Sequence, residues 1–304
     1  MKNLAPALVE LSEDIELLVS DNCSEDETQL VLKEFTKEFE LNFTITTIRQ
    51  DKNIGAVPNI FQLIENSHTS YFFFLGDDDS VRLDGLRRLV EILKESPPAH
   101  FIEGTWPWRK QGPSRELHGK DAGKWGYEMG LAWGSVYHVA SCKSALAKPD
   151  LRSEIEKTIW GQIGLALSSI CLAGLKVKTL AFSWGEVALE RPYRYDYSNL
   201  LSSLRDLILS HKAASIYGSC TFPMKGFATL SNHGFKSHLL GLMVESSKVN
   251  APTLANSCWS EIRLELRGAG MWLPLFLVTV IQKVCQSPLR HSVGLASKLK
   301  QYLT

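Results

Sequence analysis

The stretch Tyr71-Phe-Phe-Phe-Leu-Gly-Asp-Asp-Asp79 constrains this chain more than any other. Four aromatic residues and a leucine run without interruption into a glycine and three consecutive carboxylates. A short apolar run closed by a turn residue predicts a strand buried on both faces. Carboxylates at the exit of such a strand sit at the carboxyl end of a sheet, where open α/β folds bind ligands. Three adjacent acids repel one another, so a cation or a donor network has to offset them. Hard oxygen ligands of this kind suit Mg2+ or Mn2+ shared with substrate phosphates. The competing reading is a solvated acidic turn after a core strand, and the run alone leaves both open.

The neighbouring segments alternate in period. A strand beginning at Glu16 ends in the polar cluster Ser20 to Ser24, and Glu25, Asp26 and Glu27 precede the periodic set Leu30, Val31, Phe35, Phe39. Acids in a first turn suit the positive end of a helix. Phe43 to Ile48 alternates apolar residues with Thr and reads as a second strand. A loop over residues 49–59 holds Gly55 and Pro58, and Ile60, Leu63 and Ile64 form a short helix before Tyr71. After the acids, Leu83, Leu86, Leu89, Val90 and Leu93 repeat at helical spacing until Pro97-Pro98. This alternation predicts an α/β domain with a mostly parallel sheet flanked by helices.

Residues 101–150 change character, with Trp106, Trp108, Trp125 and Trp133 interleaved with Gly, Lys and Arg. Such segments line sugar clefts or cap a sheet edge as ordinary core. Ser135 to Val139 reads as a strand, Trp160 to Leu172 as an apolar helix, and Lys176 to Phe182 as another strand. From Tyr197 the pattern is helical, which predicts two regions, an α/β domain over 1–190 and a helical region over 191–304. Met271 to Val284 is the most apolar helix there. Its flanks, Arg263, Arg267, Lys283 and Arg290, suit a peripheral contact with a membrane surface. Burial against other helices is the simpler alternative.

A formal net charge of zero implies no general attraction to nucleic acid or anionic lipid. The six cysteines contain no CxxC pair, which suits free thiols in a reducing compartment. The first residues lack the apolar core of a signal peptide, and Met271 to Ile281 is too short to span a bilayer. The expected location is the cytoplasm, or peripherally at the inner face of the membrane.

Four elements in order now carry a resemblance: Val19-Ser-Asp-Asn-Cys-Ser-Glu-Asp-Glu-Thr28, Asn53-Ile-Gly55 with Asn59, the strand Tyr71 to Leu75, and Gly76-Asp-Asp-Asp79. Together they resemble the nucleotide-sugar-binding half of family-2 glycosyltransferases of the GT-A fold. The bacterial surface-polysaccharide branch, which includes abequosyltransferase-like enzymes, is most similar. The resemblance implies an inverting, metal-dependent transfer from a nucleotide-sugar donor to a polysaccharide or lipid-linked saccharide acceptor. It implies that Asp21 binds the base or ribose and that Asn53, Gly55 and Asn59 lie against the nucleotide. Asp77 and Asp79 would hold Mg2+ or Mn2+ at the diphosphate, with Asp78 between them.

Two departures from the family pattern set further expectations. The family opens with an apolar strand ending in a Pro-Thr-Tyr-Asn-Arg-like turn, and no counterpart precedes Glu16. Leu4 to Leu11 reads as the tail of the helix that follows that strand. Loss of such a strand would leave two strand edges unpaired. Many relatives also place a Glu-Asp pair or single Asp as catalytic base at a helix head. Here Glu154 and Glu156 hold that region, with Asp79 a further candidate. The alternative function is a non-catalytic remnant acting as a binding protein. A nucleotidyltransferase would need a glycine- and arginine-rich phosphate loop, which this sequence lacks.

Overall fold

A computed structural model describes residues 4–39, 42–76, 80–95, 101–103, 115–118, 135–158, 161–173, 176–180, 182, 184–186, 197–217, 233–248 and 257–287. Helix α1 (Ala5–Glu10) leads into strand β1 (Leu17–Asp21), helix α2 (Thr28–Phe39), strand β2 (Ile45–Arg49) and helix α3 (Ala56–Asn66). Strand β3 (Tyr71–Phe73), the short β4 (Ser80–Val81), helix α4 (Leu83–Glu95) and β5 (Phe101–Glu103) follow. Helix α3 runs through Pro58, which its first turn tolerates because the early N–H groups have no intrahelical partner.

The second half of the α/β region comprises β6 (Arg115–His118), β7 (Ser135–His138), α5 (Val139–Leu146), α6 (Pro149–Glu156), α7 (Gly161–Ala173), β8 (Lys176–Thr179) and β9 (Gly185–Glu186). Four further helices are α8 (Tyr197–Tyr217), α9 (His233–Ser246), α10 (Cys258–Gly268) and α11 (Trp272–Gln286).

The pairing is mixed rather than mostly parallel. β1 and β2 pair in parallel, and the larger sheet has the order β3-β7-β5-β8-β6. Within it β5 and β8 are parallel, while β3–β7, β5–β7 and β6–β8 are antiparallel; β4 and β9 form a separate antiparallel pair. β3 and β5 both oppose β7, so these two strands, joined through α4, run the same way. The departures are β6 and β7. No helix among the described residues separates β5 from β7, and strands without a crossover helix return antiparallel. Among the described strands, β1 pairs only with β2 and β3 only with β7.

Alternation along the aromatic run divides it between two cores. Tyr71 and Phe73 pack against a cluster of Ala7, Leu86, Leu89, Val136 and Trp184. Phe72 and Phe74 face the other way, with Phe61 of α3 and Tyr137, and the Phe72 and Tyr137 rings stack at 5.0 Å. That second core continues through α5, α7 and α8 to Trp259, Val278 and Cys285. The helical region therefore shares its core with the α/β region. Helix α7 approaches its neighbours through glycines. A methyl added at Gly161 would stand 2.3 Å from Val57 Cγ1, and one at Gly164 2.4 Å from Ile155 Cγ2.

Candidate functional site

The parallel pairing of β1 with β2 brings Asp21 and Arg49 to the same carboxyl end. Gln50 N–H continues the ladder by donating to Asp21 O at 2.9 Å. The Asp21 side chain is fully enclosed, and its carboxylate accepts from Ser24 N–H at 2.8 Å, from Gln29 Nε2 and from Arg49 Nη1 at 3.1 Å. Burial alone would raise the Asp21 pKa. The donors at Ser24, Gln29 and Arg49 outweigh it and hold the carboxyl below its ordinary value.

The loop after β1 is tied to the loop after β2 by two asparagines. Asn22 Nδ2 donates to Asn53 Oδ1 at 2.9 Å, and Asn22 Oδ1 accepts from Ile54 N–H at 2.9 Å. Asn53 Oδ1 also accepts from Gly55 N–H at 2.9 Å, an Asx-type turn. Gly55 then caps α3 at φ +89°, a left-handed conformation that costs a side-chain-bearing residue strain. Cys23 sits at φ +66°, the one non-glycine residue with positive φ among those described. Ser20 Oγ donates to Asn59 Oδ1 at 2.6 Å, which fixes the first turn of α3 against β1. Gln50 Nε2 donates to Gln62 Oε1 beneath this contact.

Asp21, Asn53, Gly55 and Asn59 are thus brought together in one bonded cluster. Ser20, Asn22, Gln29, Arg49 and Gln50 complete it without having been singled out from the sequence. The one local signal was the concentration of polar side chains after β1 and β2; which of them meet is set by the β1–β2 pairing.

Asp77, Asp78 and Asp79 lie outside the described residues, as do Trp106, Trp108, Trp125, Trp133 and Trp160. The chain enters the acidic run from β3 and leaves it directly into β4. There Ser80 pairs with Glu186 and Val81 with Gly185, and Arg82 N–H donates to Trp184 O at 2.9 Å. The backbone of Glu186 is therefore in register with the residue immediately after Asp79. Trp184 is fully buried, and its Nε1–H has no acceptor among the described residues. Those residues also contain no group of three His, Cys, Asp or Glu suited to a metal.

Glu154 and Glu156 are held elsewhere. Glu154 accepts from Lys157 at 2.8 Å, and Glu156 accepts from Arg152 Nε at 2.8 Å. Arg152 also pairs with Glu65, at the end of α3 remote from Asn59. Six helical residues span about 9 Å along the axis. Neither glutamate makes a contact with the asparagine cluster among the described residues. A polar cleft of about 370 Å3, lined by Ser67, His68, Thr69 and His138, opens where β3 begins, the opposite end of that strand from the acids.

Comparison with known proteins accounts for this arrangement. A model of the family described as Glycosyl transferase family 2 matches residues 2–153, half of the chain. The chain belongs to glycosyl transferase family 2. An uncharacterized glycosyltransferase of Haemophilus influenzae is 26% identical over 102 residues, which is 32% of each protein. The match thus spans about a third of the length of that curated relative. Among solved structures, a fragment of S. aureus TarS covering its residues 1–349 is similar at a TM-score of 0.51 and 10% identity, over 93% of this chain and 86% of that one. The longer S. aureus TarS structure is similar at 0.51 and 12%, over 93% and 52%. These likenesses establish a GT-A-type fold with a helical extension. In this family member the bonded asparagine cluster sits where the first two described strands end.

Proposed function

We propose that the protein is a glycosyltransferase that moves a sugar from a nucleotide-sugar donor to a saccharide acceptor, either a growing surface polysaccharide or a lipid-linked saccharide. The observation that carries this reading is the cross-linked pair of loops after β1 and β2. It presents Asn53, Gly55 and Asn59 as a fixed surface at the carboxyl end of the strands, where α/β folds bind nucleotides. We assign the nucleotide to that surface. Asp21 is better suited to hold the loop than to touch the ligand, because Ser24, Gln29 and Arg49 already engage both of its oxygens.

Asp77 and Asp79, with Asp78 between them, are the proposed seat of Mg2+ or Mn2+. The donor set fits such an ion, being hard carboxylate oxygen without thiol or imidazole. A divalent cation bound there supplies charge compensation for the departing nucleoside diphosphate without any proton transfer.

Inversion at the anomeric carbon needs a carboxylate to receive the acceptor's proton. The acceptor oxygen bonds to the anomeric carbon, and the bond from that carbon to the diphosphate oxygen breaks with its electron pair on the phosphate. The hydroxyl proton passes to the base. Of the acids first considered, Glu154 and Glu156 are ion-paired near the far end of α3, which favours a structural role. Asp79 remains of those acids, and the register of β4 with β9 adds Glu186 as a new candidate. No disulfide joins the four cysteines among the described residues, in keeping with a cytoplasmic setting.

The test is release of nucleoside diphosphate from UDP-, GDP- and dTDP-hexoses in the presence of Mn2+. Metal-dependent release from one of them, abolished by chelator, supports the reading. No release from any donor, together with no heat of binding for UDP, GDP or dTDP, would overturn it in favour of a non-catalytic binding protein.

A further inference from the structure

Helix α11 is apolar on two sides, and the described residues bury only one of them. Its inner side, Leu275, Val278, Ile281 and Cys285, is buried in the core shared with α8 to α10. Its outer side exposes Trp272 at 68%, Leu273 at 54%, Phe276 at 63% and Val280 at 39% of their surface. Trp272, Phe276 and Val280 recur every four residues, so they form one stripe along the helix. Lys283 continues that stripe by one turn and is exposed. An aromatic stripe of this size left in water is unfavourable and marks a surface that is covered in use.

The local charge identifies what covers it. The chain as a whole is neutral, yet from Leu266 to Thr304 it contains no Asp or Glu and five cations, Arg267, Lys283, Arg290, Lys298 and Lys300. The last carboxylate before this stretch, Glu265, is bound by Lys212 at 2.5 Å. Arg267 is exposed in the last turn of α10, five residues before Trp272. No described helix is long and apolar enough to cross a membrane, so a spanning role is not available to α11.

The geometry points to α11 as a docking face for an anionic lipid bilayer, lying in the plane of the surface. Trp272, Leu273, Phe276 and Val280 enter the headgroup boundary, and the exposed Arg267 and Lys283 face the lipid phosphates. Aromatic side chains with an apolar body suit that boundary, and each basic residue near it adds attraction that salt weakens. The outer face is separate from the asparagine cluster, so the inference stands whether or not the chain transfers sugar. If it does transfer sugar, this face would hold the enzyme at the surface that carries lipid-linked acceptors.

The experiment is cosedimentation of the full chain with vesicles of phosphatidylglycerol and phosphatidylcholine, and with phosphatidylcholine alone. Binding to the anionic vesicles, weakened by salt, is expected. The double variant W272S/F276S should bind on the order of a hundredfold more weakly while keeping its melting temperature, because both side chains are already exposed. A second variant, R267Q/K283Q, should lose about tenfold on anionic vesicles and nothing on neutral ones. Failure of the wild-type chain to bind anionic vesicles would overturn the proposal, as would W272S/F276S binding like wild type. Sedimentation velocity separates the remaining occupant. A dimer of this chain dissolved by W272S/F276S, without vesicle binding, would assign the face to a second copy and refute the lipid surface.

Discussion

Asn53 carries more of the candidate site than its size suggests. One side-chain oxygen receives both the Asn22 amide and the Gly55 N–H, so the loop after β2 takes its shape from this residue. Asn53→Ala removes both contacts at an exposed position where water can replace them. Little loss of fold stability follows, but the nucleotide surface loses its pre-ordered form. Calorimetry with the cognate nucleoside diphosphate should show about a tenfold weaker affinity and a nearly unchanged melting temperature. Glu186→Gln probes the proton acceptor instead. It should slow diphosphate release on the order of a hundredfold or more at unchanged donor KM, with Glu186→Asp partly active. An unchanged rate in Glu186→Gln would remove it from the chemistry. At this scale the sequence was legible where a residue type marks a loop, as with Gly55. Asn22 and Gln50 were not, because their partners lie about thirty and a dozen positions away and only the β1–β2 pairing brings them near.

Among the elements, α8 has the largest share of buried polar groups in the helical region. Asp206, Ser210 and His211 are all buried, with Asp206 paired to Arg205 and Ser210 bonded to Thr158. Burial pushes the His211 pKa down from 6.5 to about 4, while its Nδ1 contact with Leu207 O opposes the shift. The folded chain therefore binds fewer protons than the unfolded chain between those values, and stability must rise with pH across that window. The stability held above pH 6.5 is lost as the pH falls towards 4. The cost is on the order of 3 kcal/mol. Urea unfolding at several pH values should show this slope, and His211→Gln should flatten it.

Element order was legible from periodicity as far as α4, the short β4 aside, because βα alternation is a local property; β5, β6, β9, α5, α6 and α10 were not read from it. Strand direction was not, since β6 and β7 follow from where the chain returns rather than from any period. The aromatic run was legible as two-sided because four bulky residues in succession must point both ways from a strand.

For the whole molecule, neutrality in the sum conceals a marked asymmetry along the chain. Net charge argued against anionic surfaces, whereas the acid-free end beyond Glu265 argues for one, and only the exposed side of α11 shows where such a contact would fall. The boundary expected near residue 190 is crossed by a continuous core: α8 packs on α7 beside Gly164, and α7 in turn meets α3 where Gly161 faces Val57. That arrangement links the region carrying the proposed membrane face to the first turn of α3, where Val57 lies two residues from Asn59.

The central claim is that the acids at the exit of β3 serve sugar transfer. The most direct measurement is donor turnover by the Asp77→Asn/Asp79→Asn variant with Mn2+, with melting temperature recorded alongside. The account predicts loss of turnover on the order of a thousandfold with the fold intact. Turnover equal to wild type in that folded variant would contradict it.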